Sequence, residues 1–96
     1  MAEVEQLKSM FTVYAIFNEK SHKIYIGQTI DLNLRLAQHN STGGDHVGRF
    51  TKSDPGFWRL VYEESQESRV LALKREKQLK SYRGRQFIKN LIIKHP

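Results

Sequence analysis

Alternating apolar and polar positions near the start of the chain predict a β-hairpin. The segment Phe11–Phe17 is rich in β-branched and aromatic residues, and His22–Gly27 follows after a short polar turn. If Phe17 pairs with His22 across that turn, Tyr14 lies opposite Tyr25. Alternation with a period of two then sorts the side chains into two faces. The wholly apolar face carries Val13, Ala15, Phe17, Ile24 and Ile26, and the other carries Thr12, Tyr14, Ile16, Lys23, Tyr25 and Gly27.

The pattern next changes to helical spacing. A helix is predicted from about Asp31 to His39, with Thr29 or Asp31 as its capping residue. At about 100° per residue, Arg35 and His39 fall beside the leucines of the buried stripe, not opposite them. We therefore expect this helix to hold a guanidinium and an imidazole near the tyrosine face of the sheet.

The rest of the chain predicts one more strand and two helices. After a glycine-rich loop and Pro55-Gly56, Phe57–Glu63 has strand character, and Ser65 or Ser68 can cap a helix that runs to about Lys80. A turn at 81–84 leads to a last helix that ends near Lys94. The order β-β-α-β-α-α predicts an α+β fold, a small three-stranded antiparallel sheet flanked by helices. We expect a polar lead-in at 1–10 and a single domain at 11–96.

Positive charge is concentrated at the end of the chain. The net charge is +6, and residues 69–96 carry nine Lys and Arg against a single acid, Glu76. Such a segment favours a polyanionic partner, most often nucleic acid, and an ordinary solvated helical surface is the alternative.

Composition excludes several other classes of protein. The absence of cysteine rules out disulfides and thiolate metal sites, and the histidines lack the spacing of a zinc site. The apolar runs are far shorter than the roughly 20 residues of a membrane span, and no signal-peptide pattern is present. We therefore expect a cytoplasmic protein with no membrane partner.

Four short motifs follow one another along the chain: Thr12-Val-Tyr14, Tyr25-Ile-Gly27, Arg35-x-x-x-His39 and Glu76 within Leu73-Lys-Arg-Glu-Lys-Gln-Leu-Lys80. Taken in this order, they resemble the GIY-YIG nuclease family. The likeness runs from about Phe11 to Asn90 and is closest to compact single-domain members, relatives of the excision-repair nuclease module. The first tripeptide departs from the family's Gly-Ile-Tyr but keeps its tyrosine.

The resemblance implies a metal-dependent phosphodiesterase. It makes Glu76 the protein ligand of one Mg²⁺ or Mn²⁺ ion per site, which suits a hard cation that keeps several waters. An ordinary helix ion pair of Glu76 with Arg75 or Lys80 is the alternative. Tyr14 and Tyr25 are the candidate proton-transfer groups, and the resemblance favours Tyr14 as the base. Arg35 would grip the scissile phosphate.

Further residues are candidates for support of the site and for binding. His39 would act as a second proton shuttle or orient a tyrosine, and Gly27 and Asn90 would support the site. Basic and polar side chains along the chain are the candidate nucleic-acid contacts: Lys23, Thr29, Arg49, Lys52, Lys74, Arg75, Lys77, Lys80, Arg83 and Arg85.

The leading functional hypothesis is therefore a metal-dependent endonuclease that hydrolyses DNA with low sequence specificity, in repair or recombination. RNA is an alternative substrate, and a monomer is favoured. The competing hypotheses are a non-catalytic nucleic-acid-binding module with the same fold and a protein-interaction domain.

Overall fold

A computed structural model describes residues 10–40 and 56–95, which form three strands and three helices in the predicted order. Residues 1–9 of the predicted lead-in and the loop with Arg49 and Lys52 lie outside the described residues. The elements are β1 (Phe11–Asn18), β2 (Lys23–Thr29), α1 (Leu32–His39), β3 (Trp58–Gln66), α2 (Arg69–Lys80) and α3 (Tyr82–Lys94). The α+β fold class is confirmed.

The sheet is antiparallel throughout, with β1 at its centre between β2 and β3. The predicted hairpin register is wrong by two residues. Tyr14 faces Gly27, and Tyr25 faces Ile16. The cause is a four-residue turn at 19–22, in which buried Asn18 accepts hydrogen bonds from the backbone N–H groups of Lys20 and Ser21. Because a shift of two residues preserves alternation, the predicted assignment of side chains to the two faces is unchanged.

The two faces of the sheet pack against different helices. Val13, Ala15 and Ile26 form one buried cluster with side chains of α2 and α3. Tyr14, Ile16 and Trp58 form a second, against which Leu32 and Leu36 of α1 pack. The leucine stripe of α1 therefore lies on the tyrosine face, as the sequence predicted, and this brings Arg35 and His39 to that face.

Side-chain caps fix where the helices begin. Asp31 accepts from the N–H of Leu34 at the start of α1, and Ser68, not Ser65, caps α2.

Among residues 10–40 and 56–95, no helix is long and apolar enough to cross a membrane.

The predicted turn at 81–84 is wrong, because Ser81 alone separates α2 from α3 and Gly84 lies inside α3. A Cβ atom at Gly84 would overlap the backbone of Leu79 and the carbonyl oxygen of Gln78. The glycine is therefore required by close packing between the two helices, not by a turn.

Candidate active site

A hydrogen bond between Tyr14 and His39 joins the central strand to α1. The Tyr14 hydroxyl lies 2.8 Å from His39 Nε2, and both side chains are buried, with 1% and 4% of their surfaces exposed. Tyr14 points to this face through strand alternation, and His39 reaches it from the last turn of α1. A contact of this kind can pass a proton between a phenol and an imidazole.

Tyr25 completes a cluster of three rings. Its ring centre lies 6.2 Å from that of Tyr14 and 4.8 Å from that of His39. Gly27 makes this close packing possible, because a Cβ atom there would lie 3.0 Å from both Tyr14 Oη and Tyr25 Cε1. The two tyrosines thus converge, although they are not cross-strand partners.

Burial and nearby charges perturb the two groups that share the hydrogen bond. Burial raises the pKa of Tyr14 well above its ordinary value, Tyr25 and Glu76 raise this pKa further, and Arg35 lowers it. Burial, helped by Arg35, lowers the pKa of His39 to about 4. Both groups are therefore neutral at neutral pH, and the charges of Arg35 and Glu76 are felt at the Tyr14 hydroxyl.

Glu76 lies on α2 with 18% of its side chain exposed. Its Oε2 accepts a hydrogen bond from Lys80 Nζ at 2.7 Å, so the ion pair weighed in the sequence analysis is present with Lys80. Arg75 instead donates to Glu64, at 3.0 and 2.9 Å from its two carboxylate oxygens. Carboxylate and hydroxyl oxygens are the ligands that Mg²⁺ and Mn²⁺ prefer, and Glu76 supplies the charged one.

The described residues of this site offer few protein ligands for a metal ion. Within the described ranges, no three His, Asp or Glu side chains come together closely enough to hold an ion. A cation held by the Glu76 carboxylate and otherwise by water or substrate oxygens is compatible with that arrangement.

Sequence reasoning missed Asn40, the residue that follows His39. Its Oδ1 accepts from the N–H of Trp58 at 2.8 Å, and its Nδ2 donates to the carbonyl of Trp58 at 2.9 Å. This double contact ties the end of α1 to the first residue of β3. The signal was an asparagine at a helix end, which also suits a simple cap, so nothing in the local pattern favoured a long-range partner.

The other predicted residues are more dispersed. Thr29 is buried, and its hydroxyl bonds the backbone of Asp31. Asn90 is exposed on α3, and nothing described joins it to the tyrosines. The predicted binding side chains Lys23, Lys74, Lys77, Lys80, Arg83 and Arg85 are all exposed. Their roles remain predictions.

Comparison with protein families agrees with this arrangement. The model of the GIY-YIG catalytic domain matches residues 10–89, more than four fifths of the chain. The chain belongs to the GIY-YIG family. A comparison with curated proteins returned no match. Members of the family are generally divalent-metal-dependent endonucleases, so this chain has a nuclease-type fold, and nucleic acid is the class of partner that such a domain implies.

Proposed function

We propose that this GIY-YIG protein is a metal-dependent endonuclease that hydrolyses phosphodiester bonds in DNA. The observation that carries the proposal is the buried hydrogen bond between Tyr14 and His39, with Tyr25 packed against it and the charges of Arg35 and Glu76 acting on the Tyr14 hydroxyl. Arg35 and Glu76 are far from Tyr14 in the sequence and carry opposite charges, and both act on its pKa.

Proton transfer would run through the phenol to the imidazole. Neutral His39 can accept at Nε2 the proton of Tyr14, while Tyr14 takes one from the attacking water. Arg35 lowers the pKa of Tyr14 and so favours the ionised phenol. Arg35 also opposes a charge on His39, and the negative charge of a bound phosphodiester would offset that effect.

Arg35 and Glu76 would act on the phosphate itself. Arg35 offers a planar fork of N–H donors that matches two phosphate oxygens. Glu76 would hold Mg²⁺ or Mn²⁺, which when bound neutralises charge on the phosphate and the leaving oxygen. The hydrogen bond from Lys80 would hold the carboxylate of Glu76 in position for this role. Attack by water in line with the leaving oxygen, with inversion and no covalent intermediate, fits these roles.

The basic surface fits DNA as the substrate. Exposed lysines and arginines of α2 and α3 would contact phosphates without reading bases, so sequence specificity should be low and binding should weaken as salt rises. A cytoplasmic location, a monomeric state and a role in DNA repair or recombination belong to the same proposal.

Nicking of supercoiled plasmid tests the proposal. Wild-type protein with Mg²⁺ or Mn²⁺ is expected to convert supercoiled DNA to the open-circle form, and chelation by EDTA should stop the reaction. Tyr14→Phe, which removes the hydroxyl and keeps the ring, should slow nicking by about 10²- to 10⁴-fold.

The Glu76–Lys80 ion pair is what a non-catalytic binding module would also contain. That alternative predicts salt-sensitive DNA binding without nicking by the wild type. Nicking that persists equally in Tyr14→Phe would mark a contaminating nuclease and would refute the proposed site.

A further inference from the structure

An open groove runs along the free edge of the sheet, beside β2. Its walls come from β2 and the preceding turn on one side, and from the end of α2 and from α3 on the other. The lining residues are His22, Lys23, Ile24, Tyr25, Ile26, Lys80, Arg85 and Lys89.

The charge of this groove is one-sided. Four of its side chains are exposed cations, Lys23, Lys80, Arg85 and Lys89, and none of the described residues that line it is an acid. Like charges that converge from two elements repel each other, and the ion pair of Lys80 with Glu76 offsets part of that repulsion. A polyanion along the groove would remove that repulsion.

Two residues that line the groove also contact residues of the candidate active site. Tyr25 lines it, and the ring of Tyr25 lies 4.8 Å from that of His39, measured between centres. Lys80 lines it as well and is paired with Glu76. Arg85 is held in place because its Nε donates to the carbonyl of Lys80 at 3.1 Å. Phosphates in the groove would therefore lie next to residues that contact His39 and Glu76.

The geometry points to this groove as the binding site for the phosphodiester backbone of the cleaved strand, on one side of the scissile phosphate, with Lys89 and Lys23 as phosphate contacts. This inference rests on the proposed function. It separates the basic side chains of α3 into those that contact substrate and those that do not. Lys89, absent from the residues predicted as contacts from sequence, touches substrate, whereas Lys94 near the end of the same helix does not line the groove.

Two alanine substitutions on α3 test whether Lys89, and not Lys94, contacts DNA. Lys89→Ala and Lys94→Ala remove the same charge from exposed positions of one helix. Binding of a labelled 15-nucleotide DNA, single-stranded in one arm and duplex in the other, is measured from 50 to 300 mM salt. When the logarithm of the binding constant is plotted against the logarithm of the salt concentration, each phosphate contact contributes about 0.7 to the slope for a single strand and about 0.9 for a duplex.

Lys89→Ala is expected to reduce the slope by that amount and the affinity at 0.1 M salt by about fivefold for the single strand. Lys23→Ala combined with Lys89→Ala should double the change in slope. Lys94→Ala should bind as the wild type does. Thermal unfolding of each variant shows whether a loss of binding reflects a loss of fold.

The outcomes separate this inference from the proposed function. If the wild type nicks plasmid but Lys89→Ala and Lys94→Ala bind alike in both arms, the groove assignment is overturned and the endonuclease stands. If binding depends on Lys89 but no variant nicks DNA, the groove is supported and the endonuclease fails.

Discussion

Acid should destabilise the protein through His39. Its pKa is about 4 in the folded chain, against 6.5 for an ordinary histidine. Between these two values the unfolded chain binds a proton that the folded chain does not, so the free energy of unfolding falls as pH drops through this window. At 1.36 kcal/mol per pKa unit, the loss between pH 7 and pH 4 is about 3 kcal/mol. It arises because His39 is buried beside Arg35.

The comparison of wild type with His39→Gln isolates this effect from the titration of the carboxylates. Glutamine keeps a hydrogen-bonding side chain near Tyr14 and does not titrate. Urea unfolding can be followed through the fluorescence of Trp58, the single tryptophan, which is 1% exposed. The difference in free energy of unfolding between the two proteins should fall by about 3 kcal/mol from pH 7 to pH 4.

A second histidine variant and a direct titration complete the test. His95→Gln, at an exposed position after α3, controls for the removal of a histidine. The His39 ring can be titrated by NMR in the wild type. A difference that stays constant with pH, or a His39 ring that titrates near 6.5, would refute the buried, neutral imidazole on which the proton path depends.

Three substitutions test the packing around the site. Gly27→Ala should slow nicking by about tenfold with little loss of thermal stability, because both phenols must shift by a few tenths of an ångström. Asn40→Ala should lower the free energy of unfolding by about 2 kcal/mol in urea titrations, because two hydrogen bonds to the Trp58 backbone are lost. Gly84→Ala should cost about 1–3 kcal/mol in the same assay, because a Cβ atom overlaps the α2 backbone.

Neighbouring variants serve as controls for these three. Gln28→Ala, the control for Gly27→Ala, should nick at the wild-type rate. Asn40→Asp should lower the free energy of unfolding less than Asn40→Ala does, since it keeps one acceptor for the N–H of Trp58. Arg83→Ala, the control for Gly84→Ala, should not change the free energy of unfolding. Wild-type nicking by Gly27→Ala would argue that the tyrosine positions are unimportant. Unchanged unfolding of Asn40→Ala or Gly84→Ala would contradict the tight contacts described for those residues.

Most of the fold could be predicted because each strand and helix depends on a pattern among residues that are close together in the sequence. Alternation placed Tyr14 and Tyr25 on one face even though the register was wrong, since an error of two residues preserves parity. Helical spacing likewise placed His39 beside the leucines of α1. Gly84 misled the prediction because glycine suits a turn and a close helix contact equally well, and the sequence does not show which helix will pack against it.

Contacts between residues far apart in the chain could not be predicted, because local patterns do not show which distant residues will meet. The motifs named Tyr14 and His39 as functional candidates, but their shared hydrogen bond depends on how α1 crosses the sheet. Asn40 and Trp58 are 18 residues apart, and neither carries a local signal for the other. The salt bridge between Glu64 and Arg75 also links a strand to a helix, whereas the sequence analysis considered Arg75 as a partner of Glu76.

The central claim is that Glu76 belongs to the reacting centre and is more than the partner of Lys80. The most direct measurement is the Mg²⁺-dependent nicking rate of Glu76→Gln against that of Glu67→Gln, an exposed acid just before α2. We predict that Glu76→Gln loses at least about 10²-fold in rate while staying folded, and that Glu67→Gln keeps the wild-type rate. A folded Glu76→Gln that nicks DNA as fast as the wild type would contradict the account.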